Sequence, residues 1–303
     1  MEDKVFSGQP ANRLAGHLNG KLIFLDIDGT LTLLGENTPP DSAVKALQKA
    51  RARGHKLFIC TGRNPYMLEP LLHYGFDGFI GCAGGYVAIG TRAGEDIDIL
   101  NGEVLFDCPM TDGQRDTALD SLHKNGVFCT IEAKDCAWGD EKLSDFVMER
   151  PEGKSEIERW QKMLVTNLGL RPLSEYDGRP IYKVVAMCLE MSQLEETRAL
   201  MEQDFQFVAQ ERKDGGGSVS VEIINRKFDK GRGVEMICER LGVPREDTIG
   251  FGDSMNDLEM LQTVGTSVCM GNGAEALKKL ADLVCPPVDE NGLFWAFEKL
   301  NLM

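Results

Sequence analysis

Short, uniformly apolar runs recur along the chain, and several close on a polar turn that holds glycine. Residues 22–25 run into Asp26-Ile27-Asp28-Gly29-Thr30, residues 57–60 into Thr61-Gly62-Arg63, and residues 248–251 into Gly252-Asp253-Ser254-Met255-Asn256-Asp257. Runs without polar alternation read as parallel strands covered on both faces. Between them the period changes to that of a helix. Ala43, Val44, Leu47 and Ala50 form one face after Thr38-Pro39-Pro40-Asp41, with Gly54 as the stop. Val234, Ile237, Cys238 and Leu241 form another between Lys230 and Gly242. A helix over 65–74 and a short strand at Phe79-Ile80 complete a βαβαβ beginning. Strands at 267–270 and 282–285 and helices at 274–281 and 292–300 continue the alternation. The pattern predicts an α/β class, doubly wound parallel sheet.

The pattern changes between about 86 and 222. Strands are expected at 104–106, 127–131, 181–189, 205–209 and 219–224. Helices are expected at 112–124, 155–168 and 192–203, the last opened by a Ser192/Glu195 capping box. Alternating strands with helices on one side predict an inserted α+β cap domain. The cluster Gly81-Cys82-Ala83-Gly84-Gly85 marks the exit into it, or else is a plain turn, and Gly215-Gly216-Gly217 reads as a hairpin turn. The expected division is core 1–85 and 223–303, with cap 86–222; residues 1–19 read as a loose extension. His123, Trp138, Trp160, Tyr176, Tyr182 and Lys183 read as packing or solvated-face residues.

Composition narrows the partners. The 303 residues carry a formal net charge of -15, which argues against nucleic acid and anionic membrane surfaces. An anionic substrate must then be drawn in by a local cation. Nine scattered cysteines, with no CxxC or Cys/His spacing of a zinc site, suit reduced thiols in a cytoplasmic protein. No run has the length of a transmembrane helix, and no leader segment is evident.

The polar turns carry the chemistry. Side chains at i and i+2 of an extended chain share a side, so Asp26 and Asp28 can serve one site. Parallel sheets bind ligands beyond the carboxyl ends of their strands, which would gather Asp26, Asp28, Thr61, Asp253 and Asp257 at one edge. Lys230, in Phe228-Asp229-Lys230-Gly231, opens a helix and can add positive charge. Acids, a hydroxyl, a lysine and backbone amides suit Mg2+-assisted phosphoryl transfer to an aspartate. The plain alternatives are an acidic turn for the aspartates and an exposed helix-start residue for Lys230.

The ordered set Asp26–Thr30, Cys60-Thr61-Gly62-Arg63, Asp229-Lys230-Gly231 and Gly252–Asp257 resembles the four motifs of the haloacid dehalogenase superfamily. Leu258-Glu259-Met260-Leu261, Val268-Cys269-Met270-Gly271-Asn272 and Asp289-Glu290-Asn291-Gly292 are similar to its Cof-type sugar-phosphate phosphatases. The family places its cap after an Asn-Gly-Ala triplet, where this chain has Ala83-Gly84-Gly85. The resemblance implies Asp26 as nucleophile and metal ligand and Asp28 as general acid and base, with the Asp28 carbonyl on Mg2+. It implies Asp253 as a metal ligand, with Asp257 as a further ligand or the anchor of one. Thr61, the Gly29 and Gly62 amides, Arg63 and Asn256 would hold phosphoryl oxygens, and Lys230 would offset their charge.

The implied function is hydrolysis of small phosphorylated metabolites, sugar phosphates first, by a monomer or small homo-oligomer. Two other uses of the residues are a hexose phosphomutase and a non-catalytic phosphate-binding regulator.

Overall fold

A computed structural model describes residues 20–93, 96–143, 145, 170–209 and 219–303. The expected helix at 155–168, Trp160, the triple-glycine turn and the segment 1–19 lie outside the described residues. The chain begins its first sheet with β1 (Leu22–Leu25), β2 (Lys56–Cys60), β3 (Gly78–Gly81), β4 (Tyr86–Ala93) and β5 (Asp96–Asp107). A second sheet takes β6 (Phe128–Glu132), β7 (Ala137–Gly139), β8 (Leu170–Pro172), β9 (Lys183–Cys188), β10 (Phe205–Ala209) and β11 (Val219–Asn225). The chain then returns to the first sheet with β12 (Thr248–Gly252), β13 (Thr266–Cys269) and β14 (Leu283–Val284).

Among the described residues the first sheet has eight strands in the order β14-β13-β12-β1-β2-β3-β4-β5. Every pairing from β14 to β3 is parallel. The second sheet has six strands, β10-β11-β9-β6-β7-β8, antiparallel except where β7 meets β8. The predicted α/β class with a parallel, doubly wound sheet is what the chain adopts.

The apolar runs explain the position of β1. Its four residues are fully buried, Ile23 and Leu25 against one core cluster and Leu22 and Phe24 against the other. A central strand must bury both pleat faces, so it tolerates no polar residue until it emerges at Asp26. Phe24 stacks on Phe58 of β2 at 5.2 Å. Helix α1 (Asp41–Ala52) buries Ala43, Ala46, Leu47 and Ala50 beneath the sheet. Helices α2 (Asp112–Lys124) and α3 (Glu195–Met201) pack together beside the second sheet, whose core includes Leu122, Trp138 and Phe205. Helix α4 (Lys230–Leu241) opens with Asp229 capping the Arg232 amide at 2.8 Å and closes on Gly242.

Local expectations shift in three places. Residues 65–74 form a 3-10 helix, with Pro70 inside it unable to donate a backbone hydrogen bond. The box at the start of α3 uses Glu190 and Gln193 rather than Ser192 and Glu195. The run 104–106, expected in the inserted unit, belongs to β5, and the β4–β5 hairpin extends the first sheet antiparallel from β3. The glycine cluster therefore turns the chain within the first sheet. Gly84 takes φ +107 there, and a Cβ on it would collide with the backbone of Asp229.

No helix among the described residues is long and apolar enough to cross a membrane.

Candidate active site

The ends of the parallel strands β1 and β12 and the start of α4 meet at Asp26. Its amide still belongs to the sheet, donating to the Phe251 carbonyl at 3.0 Å. The chain then turns tightly, with the amides of Leu31 and Thr32 returning to the Ile27 carbonyl at 3.0 and 2.9 Å. Gly29 takes φ +84 within this turn, and a Cβ there would strike the Asp253 carboxylate. Glycine is thus required twice over, by backbone conformation and by the approach of β12.

Asp26 is 5% exposed, and its Oδ1 accepts from Lys230 Nζ at 2.7 Å. The same ammonium reaches Asp257 Oδ1 at 2.5 Å and Asn256 Oδ1 at 3.4 Å. Lys230 is itself 1% exposed, so α4 drives a cation into the interior at its first residue. Asp257 turns its other oxygen back on its own loop, accepting from the Asp253 and Ser254 amides at 3.0 and 3.1 Å. One carboxylate oxygen each from Asp26, Asp253 and Asp257 lie within 4.8 Å of one another.

Three carboxylates around one ammonium leave the cluster short of positive charge. Burial first, and then the charge on Asp257, hold the Asp26 carboxyl well above its usual range, with Lys230 offsetting part of this. The same two causes push Asp253 from 3.8 up to about 7. Burial works to lower Lys230, but Asp257 and Asp26 together raise it, so the ammonium stays charged. A hard cation with oxygen ligands fits this donor set and relieves its repulsion.

Asp28 is placed differently. Its carboxylate accepts from Arg63 Nη2 at 2.7 Å and Nε at 2.8 Å, and from the Gly35 amide at 3.0 Å. Arg63 also donates to Asn37 and to the Glu36 carbonyl. The two aspartates of the i, i+2 pair therefore sit against separate cations. Thr61 is buried at the end of β2, its hydroxyl accepting from the Arg63 amide at 3.1 Å. At Gly62 a Cβ would meet nothing within 4 Å, so its surroundings are open. Asn256 is exposed, and its side chain also accepts from Ser254 Oγ at 2.8 Å.

Three contributors escaped the sequence reading. Thr30 donates to Asp253 Oδ1 at 3.4 Å. Asn272 donates to the Gly29 carbonyl at 2.8 Å and accepts from the Val288 amide at 3.1 Å, bracing the turn from the end of β13. Its signal was a further strand running into Gly271-Asn272-Gly273. Lys183 of β9, from the second sheet, donates to the Gly62 carbonyl at 3.1 Å and pairs with Glu222 at 3.2 Å and Glu132 at 3.3 Å. A lone lysine in an otherwise apolar strand was its only mark. Two more bonds join the sheets beside it: Asn64 Nδ2 to the Ala133 carbonyl at 2.6 Å, and the Tyr66 amide to the Lys134 carbonyl at 2.9 Å.

Residues 23–297 match the family model of the haloacid dehalogenase-like hydrolases. The chain belongs to that family. As a haloacid dehalogenase-like hydrolase it is an enzyme, in the class that acts on phosphoric monoesters. The Bacillus subtilis protein YkrA is 28% identical, the match covering 94% of this chain and 100% of that protein. YitU of Bacillus subtilis, named 5-amino-6-(5-phospho-D-ribitylamino)uracil phosphatase, is 27% identical over 90% of this chain and 94% of its own. The solved structure of BT4131, described as a subclass IIB sugar phosphatase, superposes with a TM-score of 0.69 over 93% of this chain and all of its own, at 23% identity. That likeness concerns the fold. The four motifs of this haloacid dehalogenase-like chain stand where its sheet carries the carboxylate cluster.

Proposed function

We propose that the protein is a Mg2+-dependent phosphatase of small phosphorylated metabolites, sugar phosphates first among them, working through an aspartyl-phosphate on Asp26. The observation that carries this reading is the buried Asp26 carboxylate, held by Lys230 at 2.7 Å beside two further carboxylates. Asp26, Asp253 and Asp257 supply oxygen ligands of the type Mg2+ prefers. The ion would draw charge from the phosphoryl oxygens and from Asp26.

The chain's own groups do the rest. Lys230 offsets part of the burial that favours a protonated Asp26 and fixes the carboxylate in direction, so that its free oxygen can attack phosphorus once the metal ion is bound. Thr61 and the Gly62 amide face the phosphoryl group and hold its oxygens. Asp28 gives a proton to the departing alcohol and later takes one from water. For this it must exchange Arg63 for the substrate, and the partly exposed Arg63 then turns to the phosphoryl group.

We assign residues 108–225, between the end of β5 and the start of the return, to a cap that covers the site. The bonds from Lys183, Ala133 and Lys134 to the loop 62–66 support that assignment. The cap excludes water and supplies contacts to the leaving group. The relative YitU, named for a ribityl phosphate substrate, favours a polyol-bearing leaving group.

The test is a panel of phosphorylated metabolites, scored by kcat/KM from phosphate release with Mg2+. For any hexose 1-phosphate accepted, isomerisation is followed in parallel, with and without the 1,6-bisphosphate. Phosphate release without the activator is the expected result. Isomerisation that outpaces release and requires the bisphosphate would replace the hydrolase by a mutase. Binding of phosphate esters without turnover of even an aryl phosphate would leave a regulator.

A further inference from the structure

The second sheet carries another cluster of ligand-type side chains, built from elements that take no part in the carboxylate site. His123 lies in the last turn of α2, Cys129 on β6, and Asp140 just beyond β7. His123 Nε2 stands 2.9 Å from Asp140 Oδ1 and 3.6 Å from Cys129 Sγ. One ligand atom from each of the three lies within 4.8 Å of the other two.

The backbone holds this arrangement in place. The Cys129 amide donates to Asp140 Oδ2 at 2.7 Å, and the Asp140 amide donates to the Cys129 carbonyl at 3.1 Å. Cys129 is buried, whereas the side chains of His123 and Asp140 are 41% and 15% exposed. The sulfur is thus buried, and solvent reaches the cluster at His123 and Asp140.

Bond lengths of about 2.3 Å to sulfur and about 2.0–2.2 Å to nitrogen and oxygen, at tetrahedral angles, fix the edges of a zinc site. The sulfur–nitrogen edge comes to about 3.6 Å and the nitrogen–oxygen edge to about 3.4 Å. The first equals the observed separation, and the second needs the imidazole and carboxylate to part by a few tenths of an ångström. We propose that Cys129, His123 and Asp140 form a site for a borderline-soft divalent cation of the Zn2+ type, separate from the all-oxygen cluster around Asp26.

The donor set selects the ion. Thiolate and imidazole favour zinc over magnesium, and water from the exposed side completes the tetrahedron. On binding, the sulfur–metal bond replaces the sulfur–hydrogen bond, and the thiol proton leaves to solvent. The bound ion ties the end of α2 to β6 and to the turn after β7, so its role is to brace the second sheet rather than to act on substrate. The spacing along the chain, six residues from His123 to Cys129 and eleven on to Asp140, resembles no familiar zinc motif, which is why the site is visible only in the fold.

The test uses the full chain with Mg2+ in excess, so that the carboxylate cluster is already filled, and Co2+ as the probe. One equivalent of Co2+ is expected to give thiolate-to-cobalt absorption in the near ultraviolet together with the visible bands of a tetrahedral centre. Zn2+ should bleach both, and should raise the Tm of the wild-type chain. Cys129→Ser should lose the ultraviolet band. His123→Ala should bind at least about tenfold more weakly and lose the Zn2+-dependent rise in Tm, while hydrolysing an aryl phosphate at the wild-type rate. Should Cys129→Ser fail to fold, His123→Ala carries the test, because its side chain is partly exposed. The proposal is overturned if the wild-type chain shows no thiolate band, if the band survives in Cys129→Ser, or if His123→Ala binds the ion as tightly as wild type.

Discussion

Stabilisation by Mg2+ should grow steeply between about pH 5 and about pH 8, and the growth can be worked from Asp253. Its carboxyl is raised from 3.8 to about 7 by burial and by Asp257. In the metal-free chain the folded state therefore holds a proton that the unfolded state has lost between about pH 4 and about pH 7. Stability from this group is complete below about pH 4 and is lost as the pH rises through about 7. The gap of roughly three pH units corresponds to about 4 kcal/mol, less some screening through the open side of Asp253. The raised Asp26 acts in the same direction.

Mg2+ runs against this trend, because it needs Asp253 ionised. Each pH unit below about 7 weakens binding about tenfold for the one proton displaced. At a concentration about 100-fold above Kd at pH 8, the ion stabilises by about 2.7 kcal/mol. Two units below 7 the same concentration stands near Kd, and the gain falls to about 0.4 kcal/mol. The difference, about 2 kcal/mol, is worth about 4 °C in Tm for a chain of this size. The assay is thermal unfolding in Mg2+ against EDTA, at matched ionic strength, across that pH range. Taking the difference cancels the exposed carboxylates, such as Glu196 and Asp282, whose lowered pKa values oppose the trend in both conditions. A Mg2+ shift that is flat with pH, or larger at pH 5, would refute the buried triad as the metal site.

The other predictions concern single groups. Asp26→Asn should lower turnover of an aryl phosphate by more than about a thousandfold with the fold intact; activity within about tenfold of wild type, about 1.4 kcal/mol, would sink the covalent route. EDTA should silence the wild-type enzyme, and Ca2+, with its looser coordination, should inhibit it; phosphatase activity that persists in EDTA contradicts the assignment. Lys183→Met takes a buried ammonium away from Glu132 and Glu222, so it should cost about 3–5 kcal/mol in denaturant unfolding, and adding Glu222→Gln should recover part of the loss; a neutral Lys183→Met would show that the ion pairs are dispensable. Gly29→Ala puts a Cβ at φ +84 against the Asp253 carboxylate, and should both lower Tm and raise the Mg2+ concentration needed for half-maximal activity in a titration; a wild-type Mg2+ response would disprove the close approach.

The core was legible because its strands must bury both faces, and that demand writes itself as unbroken apolar runs ending at Asp26, Thr61 and Asp253. The β4–β5 hairpin was not, because an antiparallel edge and an inserted sheet share the same alternation. Only pairing decides between them, and β4 pairs with β3. Asp26, Lys230, Asp253 and Asp257 could be anticipated from strand-end grammar, whereas Lys183 could not. Its importance depends on which loop β9 lies against, and no local pattern in the chain encodes that contact.

The two ion pairs at the end of β1 differ in a way that orders the proposed chemistry. Lys230 and Asp26 are 1% and 7% exposed in their side chains, so water cannot replace either partner and the pair is fixed. Arg63 and Asp28 are 11% and 21% exposed, so solvent or an entering phosphoryl oxygen can compete for the guanidinium. A nucleophile benefits from the first condition, since a fixed oxygen needs no reorganisation before attack. An acid that must give up a proton and later take one back benefits from the second. Burial, more than the identity of the cation, thus divides two aspartates only two residues apart into one that holds still and one that can exchange partners.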